Sequence, residues 1–181
     1  IICVKGGGRL SFSNDVKNEL SRLETNEVCC DKAEVLGVLR MSGAIVIRGM
    51  NIGIHFSTEN AALARRVLQI LKNNYQVQTE VVITRSRRLK KNNLYQVRVL
   101  PAPQVIIAMN ELQLLSMESD LKNPLLHKQC CKRAFLRGAF LGGGSISRPS
   151  SDYHLEMVTG NEDFARSIIK VMHTFSMKAK L

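Results

Sequence analysis

Two groups of side chains in this sequence have types and spacings that suit them to chemistry. The first is cationic. Arg85, Arg87, Arg88, Lys90 and Lys91 place five positive charges within seven residues, and Arg98 follows on the next strand-like segment. Crowded cations repel one another unless an anion lies between them, and neutralising nucleic-acid phosphates releases counterions. Phosphate contact is the chemistry these residues offer. The alternative is a solvated hairpin tip whose lysines deter edge pairing. Asn92, Asn93 and Gln96 carry amides of the kind that read base edges, but phosphate contact is the safer assignment. The whole chain has the same sign: Lys and Arg number 26 against 15 Asp and Glu, a net charge of +11. That balance points to a polyanionic partner, and the clustering favours duplex nucleic acid over ribosomal or anionic-membrane partners.

The second group is thiol. Cys29-Cys30 and Cys130-Cys131 are adjacent pairs, and Cys3 is the fifth cysteine. Adjacent thiols lack the two-residue gap of a zinc knuckle. A four-cysteine site built from both pairs and a set of buried reduced thiols both stay open. The second is preferred, since each pair opens a helix at an equivalent place where small buried residues suffice. No metal and no cofactor is assigned, and reduced thiols point to the cytosol. His55, His127, His154 and His173 show no ligand spacing, and no nucleophile–base pair can be assembled. The glycine run at residues 142–144 follows a helix and precedes a strand, the reverse of a phosphate-cradling order.

The elements that position these residues come from a duplication. Shifting the chain by 101 residues aligns 29–77 with 130–178 without a gap. Ten pairs are identical: Cys29/Cys130, Cys30/Cys131, Ala33/Ala134, Gly37/Gly138, Gly43/Gly144, Ile45/Ile146, Thr58/Thr159, Asn60/Asn161, Ala64/Ala165 and Arg65/Arg166. Ordinary composition gives about three by chance. Each copy reads as helix, hairpin, helix. Ala134, Gly138, Ala139 and Gly142 fall on one helical face. Each mid-helix glycine costs about 1 kcal/mol against alanine, so their presence implies close approach of a second helix. The opening helices of the two copies are expected to pack together through Gly37, Gly43, Gly138, Gly142 and Gly144.

Along the chain, residues 1–10 read as upstream or non-native sequence. Ser13-Asn14-Asp15 supplies N-cap candidates for a helix over 11–28 that ends near Leu23, with Val16, Leu20 and Leu23 as its apolar stripe. The first repeat covers 29–117. Its helix runs over 31–41, its hairpin has strands 44–47 and 52–56, and its second helix reaches about residue 73. Strands 77–87 and 94–100 follow, and then a helix from 104 to 117. Residues 118–129 are a linker with a turn at Asn123-Pro124. The second repeat, 130–181, lacks the last strand pair and helix of the first and reads as truncated. No apolar run is long enough for a membrane span, and none has the order of a signal peptide.

The duplicated glycine helices resemble those of LAGLIDADG homing endonucleases. Residues 35–43 (VLGVLRMSG) and 136–144 (LRGAFLGGG) fill the nine motif positions. The resemblance implies an α+β fold of two αββαββα-type repeats packed through these helices, with saddle-shaped sheets that grip DNA. In that family the catalytic, metal-binding acid precedes the last glycine. Ser42 and Gly143 stand there, and Arg40 and Leu141 stand at the earlier acid position. A side chain without a carboxylate cannot hold a hard divalent cation as the family's acid does. SFSNDVKNEL, the paired cysteines, and CCKRAFLRGAFLGGGSIS followed by YHLEM resemble the WhiA family of bacterial sporulation and cell-division transcription regulators. That resemblance covers 11–181. It implies a non-catalytic, cytoplasmic, nucleoid-associated regulator of sporulation, cell division and chromosome segregation. It also implies a C-terminal helix-turn-helix region that is absent here. DNA is the implied partner, alongside another regulatory protein such as a sigma factor, with no membrane. A module that binds protein while another domain holds DNA is the alternative.

Overall fold

The computed structural model describes residues 12–24, 27–85, 93–114, 123–148 and 154–181. The elements run α1 (Phe12–Leu20), α2 (Val28–Ser42), β1 (Gly43–Arg48), β2 (Asn51–Thr58), α3 (Ala61–Tyr75), β3 (Thr79–Arg85), β4 (Asn93–Val99), α4 (Pro103–Glu111), α5 (Gln129–Gly143), β5 (Gly144–Ile146), β6 (Leu155–Met157) and α6 (Glu162–His173). The fold is α+β. β1, β2, β4 and β3 lie in that order in one antiparallel sheet, and β5 pairs with β6 in a second.

The duplication has a bond-by-bond basis. Gly43 lies opposite Phe56 in one hairpin and Gly144 opposite Met157 in the other, so the two ladders share a register. Asn60 caps α3 by accepting the Leu63 N–H at 3.0 Å, and Asn161 caps α6 by accepting the Phe164 N–H at 2.9 Å. Thr58 Oγ1 accepts from the Asn60 N–H, and Thr159 Oγ1 from the Asn161 N–H. Thr-x-Asn recurs because each side-chain oxygen satisfies a donor the helix start leaves open.

The helices α2 and α5 form the centre. They run side by side in one direction, and their small residues set the separation. A Cβ at Gly138 would collide with the Glu34 carbonyl oxygen and lie 3.1 Å from Val38 N, while one at Gly37 would collide with the Phe135 carbonyl oxygen. Ala33, Val35, Leu36, Phe135 and Ala139 are fully buried around this seam. Phe135 meets Phe164 of α6 edge to face at 6.0 Å.

One carboxylate is buried in the seam. Glu34 is 1% exposed. It accepts from Arg66 Nε of α3 at 2.9 Å and from Arg137 Nε of α5 at 2.9 Å, with a second bond from Arg137 Nη2. Arg66 also reaches Asp31 at 3.2 Å. Burial works against the Arg66 guanidinium, but the bonds and charge of Glu34 outweigh it and raise its pKa. A buried charge is tolerated when its lone pairs are filled by cations in this way.

Some sequence expectations are corrected. The first helix begins by Phe12, so Ser13 sits in its first turn instead of capping it, and Ser13 Oγ accepts the Ile146 N–H at 3.3 Å. It ends at Leu20, where Ser21 Oγ donates to the Lys17 carbonyl, and Leu23 is 48% exposed. α4 stops at Glu111 instead of residue 117, because Gln113 turns left-handed (φ 51°) and the Leu114 N–H donates to the Met109 carbonyl. The tight turn between β1 and β2 uses Gly49 at φ +60°, where open space surrounds the missing Cβ.

Candidate nucleic-acid interface

Strand register assigns every side chain of the four-stranded sheet to a face. Ile54, Phe56, Val97 and Val99 are buried against the helices. Their neighbours along the strands therefore point away: Arg48 on β1, His55 and Ser57 on β2, Gln96 and Arg98 on β4, and Glu80, Val82 and Thr84 on β3. Across the middle of this open face, Ala44, His55, Arg98 and Glu80 stand in one row. Arg98 Nη2 donates to Gln96 Oε1 at 2.8 Å, while Arg98 Nε is buried with no hydrogen-bond partner among the described residues.

Register separates two of the cations assigned to DNA. Arg98 lies opposite Glu80, and Arg85 lies five residues further along β3, opposite Asn93. An odd step places Arg85 on the other face, at a distance of about 17 Å along the ladder. Arg85 is exposed at the end of β3. Arg87, Arg88, Lys90 and Lys91 lie outside the described residues, in the stretch that joins β3 to β4. Arg85 and Arg98 therefore do not share a face. Arg98 belongs to the open face, and Arg85 to the strand end next to the connection. Arg48 and His55 were not singled out in the sequence. The signal for them was their alternation with Ile47, Ile54 and Phe56, which marks the face opposite the core.

The glycines divide by role. Gly37 and Gly138 lie where the helices cross, and a Cβ at Gly142 would meet Met41 Cβ at 2.9 Å and Ser42 Oγ at 3.1 Å. Gly43 and Gly144 do not separate the helices, which corrects the expectation for them. A Cβ there would meet residues of its own helix, Leu39 and Phe140, and both glycines act as C-caps whose N–H donates back to those carbonyls. The motif's acid positions end the same two helices. Ser42 Oγ donates to the Val38 carbonyl at 3.2 Å. At Gly143 the space for a side chain is filled by Met41, with Cγ 2.6 Å and Sδ 2.8 Å from where a Cβ would stand. At the earlier position, the Arg40 guanidinium lies 6.0 Å from the Phe164 ring centroid and Leu141 is buried. No helix among the described residues is long and apolar enough to cross a membrane.

Known proteins match this arrangement. A family model described as the WhiA N-terminal LAGLIDADG-like domain matches residues 28–115, and one described as the WhiA LAGLIDADG-like domain matches 132–181. The chain is 39% identical over 177 residues to a probable cell division protein WhiA of Oceanobacillus iheyensis, and 40% identical over 176 residues to that of Bacillus cytotoxicus. These matches cover 95% and 94% of this chain but 55% of each relative, so the chain spans about half their length. Among solved structures, full-length DUF199/WhiA from Thermatoga maritima matches with a TM-score of 0.68 at 21% identity, over 94% of this chain and 53% of that one. A variant of I-DmoI, in complex with its target DNA, matches with a TM-score of 0.59 at 14% identity, over 84% of this chain and 79% of that one. The helix pair, the sheet order and the family matches agree, and the chain belongs to the WhiA family.

Proposed function

We propose that this chain is a non-catalytic DNA-binding module of a transcription regulator that acts in sporulation, cell division and chromosome segregation. The observation that carries the reading is the open sheet face. It presents Arg48, His55, Gln96 and Arg98 on the side away from the helices, and the sequence between β3 and β4 contains four cations. A broad sheet face with cations tracks phosphates, and its amides reach base edges. The net charge of +11 adds long-range attraction. The absence of catalysis is supported by Ser42, which supplies no carboxylate, and by Met41, which fills the side-chain space at Gly143. The I-DmoI variant, which shares this fold, was solved in complex with its target DNA.

The test is a salt titration of duplex binding by this chain. Each phosphate contact adds about 0.9 to the slope of log K against log salt. Replacing Arg87, Arg88, Lys90 and Lys91 with alanine flattens that slope by up to about 3–4 and weakens binding to all sequences alike. The same assay with Mg²⁺ or Mn²⁺ gives no cleavage that tracks with the protein through repurification. An unchanged slope, or cleavage that does track with it, overturns the reading.

A second reading has its own observation. Ile45 and Ile47 on edge strand β1 are 46% and 72% exposed, and Met50 at the hairpin tip is 96% exposed. An apolar strip on a sheet edge with no strand paired to it among the described residues is a docking surface for protein. Under that reading a regulatory protein such as a sigma factor seats there, and DNA is held by the rest of the longer protein. Weak DNA binding with no change in slope in the four-alanine variant selects it.

A further inference from the structure

The parallel course of α2 and α5 brings their N-terminal ends together, and with them both cysteine pairs. The Cys29, Cys30 and Cys131 sulfurs all lie within 4.8 Å of one another. Cys130 Sγ lies 4.0 Å from Cys131 Sγ. All four are free thiols. Cys30 and Cys131 are buried, Cys29 is half-buried and Cys130 is exposed.

We propose that these four thiols bind one thiophilic divalent cation of the Zn²⁺ class, which clamps the start of α2 to the start of α5. A tetrahedral site with metal–sulfur bonds of about 2.3 Å needs sulfurs about 3.8 Å apart. The Cys29, Cys30 and Cys131 sulfurs lie slightly wider, and Cys130 stands beside Cys131 outside that group, so rotation of the Cys130 side chain toward the other three completes the shell. Four soft donors with no carboxylate among them select a borderline-soft cation over Mg²⁺ or Ca²⁺. Exposed Cys130 gives the ion a way in, while Cys30 and Cys131 supply a dry floor. Binding replaces four S–H bonds with four metal–sulfur bonds, releases four protons to water and leaves a complex of charge −2. Two helix N-termini point their positive ends at that charge, with Lys128 at the start of α5 and Lys132 in its first turn. The clamp lies at the opposite end of the helix pair from Ser42 and Gly143, so it is separate from the family's catalytic positions. A single disulfide would use two of the four thiols and leave the other two without a role.

The test uses the reduced chain, stripped of metal and titrated anaerobically with Co²⁺. The expected result is saturation at one equivalent, with the intense visible d–d absorption of tetrahedral thiolate cobalt, followed by bleaching when Zn²⁺ is added. Cys131→Ser abolishes the signal. Because that buried substitution can disturb folding, Cys130→Ser is the second variant: with unchanged circular dichroism, it keeps a weaker three-thiolate spectrum. A folded, reduced chain that gives no thiolate–cobalt absorption overturns the proposal. So does a spectrum unchanged in both serine variants. A chain that binds no cobalt but loses two thiols to a disulfide on diamide treatment makes the cluster a redox pair and also overturns it.

Discussion

Gly138→Ala tests the helix seam with one methyl group. In an uncrowded helix this change stabilises by about 1 kcal/mol, because alanine loses less backbone freedom on folding. At Gly138 the added carbon meets backbone. It would overlap the Glu34 carbonyl oxygen and lie 2.9 Å from the Glu34 carbonyl carbon and 3.1 Å from Val38 N. Backbone atoms cannot rotate aside, so α2 and α5 must part, and the motion also loosens the Arg137 grip on Glu34. Overpacking of this kind costs about 1–3 kcal/mol, and rigid neighbours place it at the upper end. Subtracting the propensity gain leaves a net loss of about 2 kcal/mol. For a chain of this size that lowers Tm by about 4–8 °C. The matched control is Gly160→Ala, where nothing lies within 4 Å of the new Cβ; its Tm moves little. Thermal and urea denaturation of both variants decide the matter. A Gly138→Ala chain at least as stable as the parent refutes the close seam, since propensity alone would then be acting.

Two further perturbations address the ends and centre of the same frame. Asn161→Ala removes one cap bond and is expected to cost about 1 kcal/mol by urea denaturation, while Asn60→Ala also removes the bond from its Nδ2 to Asn18 Oδ1 and is expected to cost more; Asn18→Ala removes the second bond alone, and an Asn60 loss that does not exceed the Asn18 loss would show that the cap bond contributes nothing. Glu34→Ala leaves Arg66 and Arg137 around an emptied site and costs about 3–5 kcal/mol. The triple variant Glu34→Phe, Arg66→Ser, Arg137→Leu copies Phe135, Ser167 and Leu36 from the other half and costs less, so equal losses would assign the effect to packing and not to charge.

The fold was legible because the duplicated residues answer to backbone geometry. Gly37 and Gly138 sit where a carbonyl leaves no room for a Cβ, and Asn60 and Asn161 sit where a helix start needs an acceptor. Such positions hold their residue type, so they survive as identities between copies. Positions governed by side-chain packing drift. Glu34 aligns with Phe135, and Arg137 with Leu36, because a buried ion cluster and an apolar cluster fill comparable volume. Nothing local in the sequence marks Glu34 as buried, since its partners lie 32 and 103 residues away. The end of α4 is hidden for a related reason: its left-handed stop falls on Gln113, a residue type that does not signal one.

The site was less legible than the scaffold, and strand parity explains why. Within one strand, alternation can be read directly. Whether Arg85 and Arg98 share a face depends on which residues pair across the hairpin, and the charges themselves do not fix that pairing. The ladder sets Arg98 against Glu80 and Arg85 against Asn93, an odd number of steps apart. A one-residue slip of β4 would have joined them on one face, broken its pairing with Ile54 and Phe56 of β2 and turned Val97 and Val99 out of the core. Burial of those two valines, each 1% exposed, is what the slip would forfeit, at about 1.5–3 kcal/mol per side chain. Hydrophobic burial therefore decides where the cations point. It leaves Arg98, with Arg48 and His55, on the open face and Arg85 on the other. If DNA lies on this sheet, the open face supplies Arg48, His55 and Arg98, and Arg85 reaches it only from the end of β3.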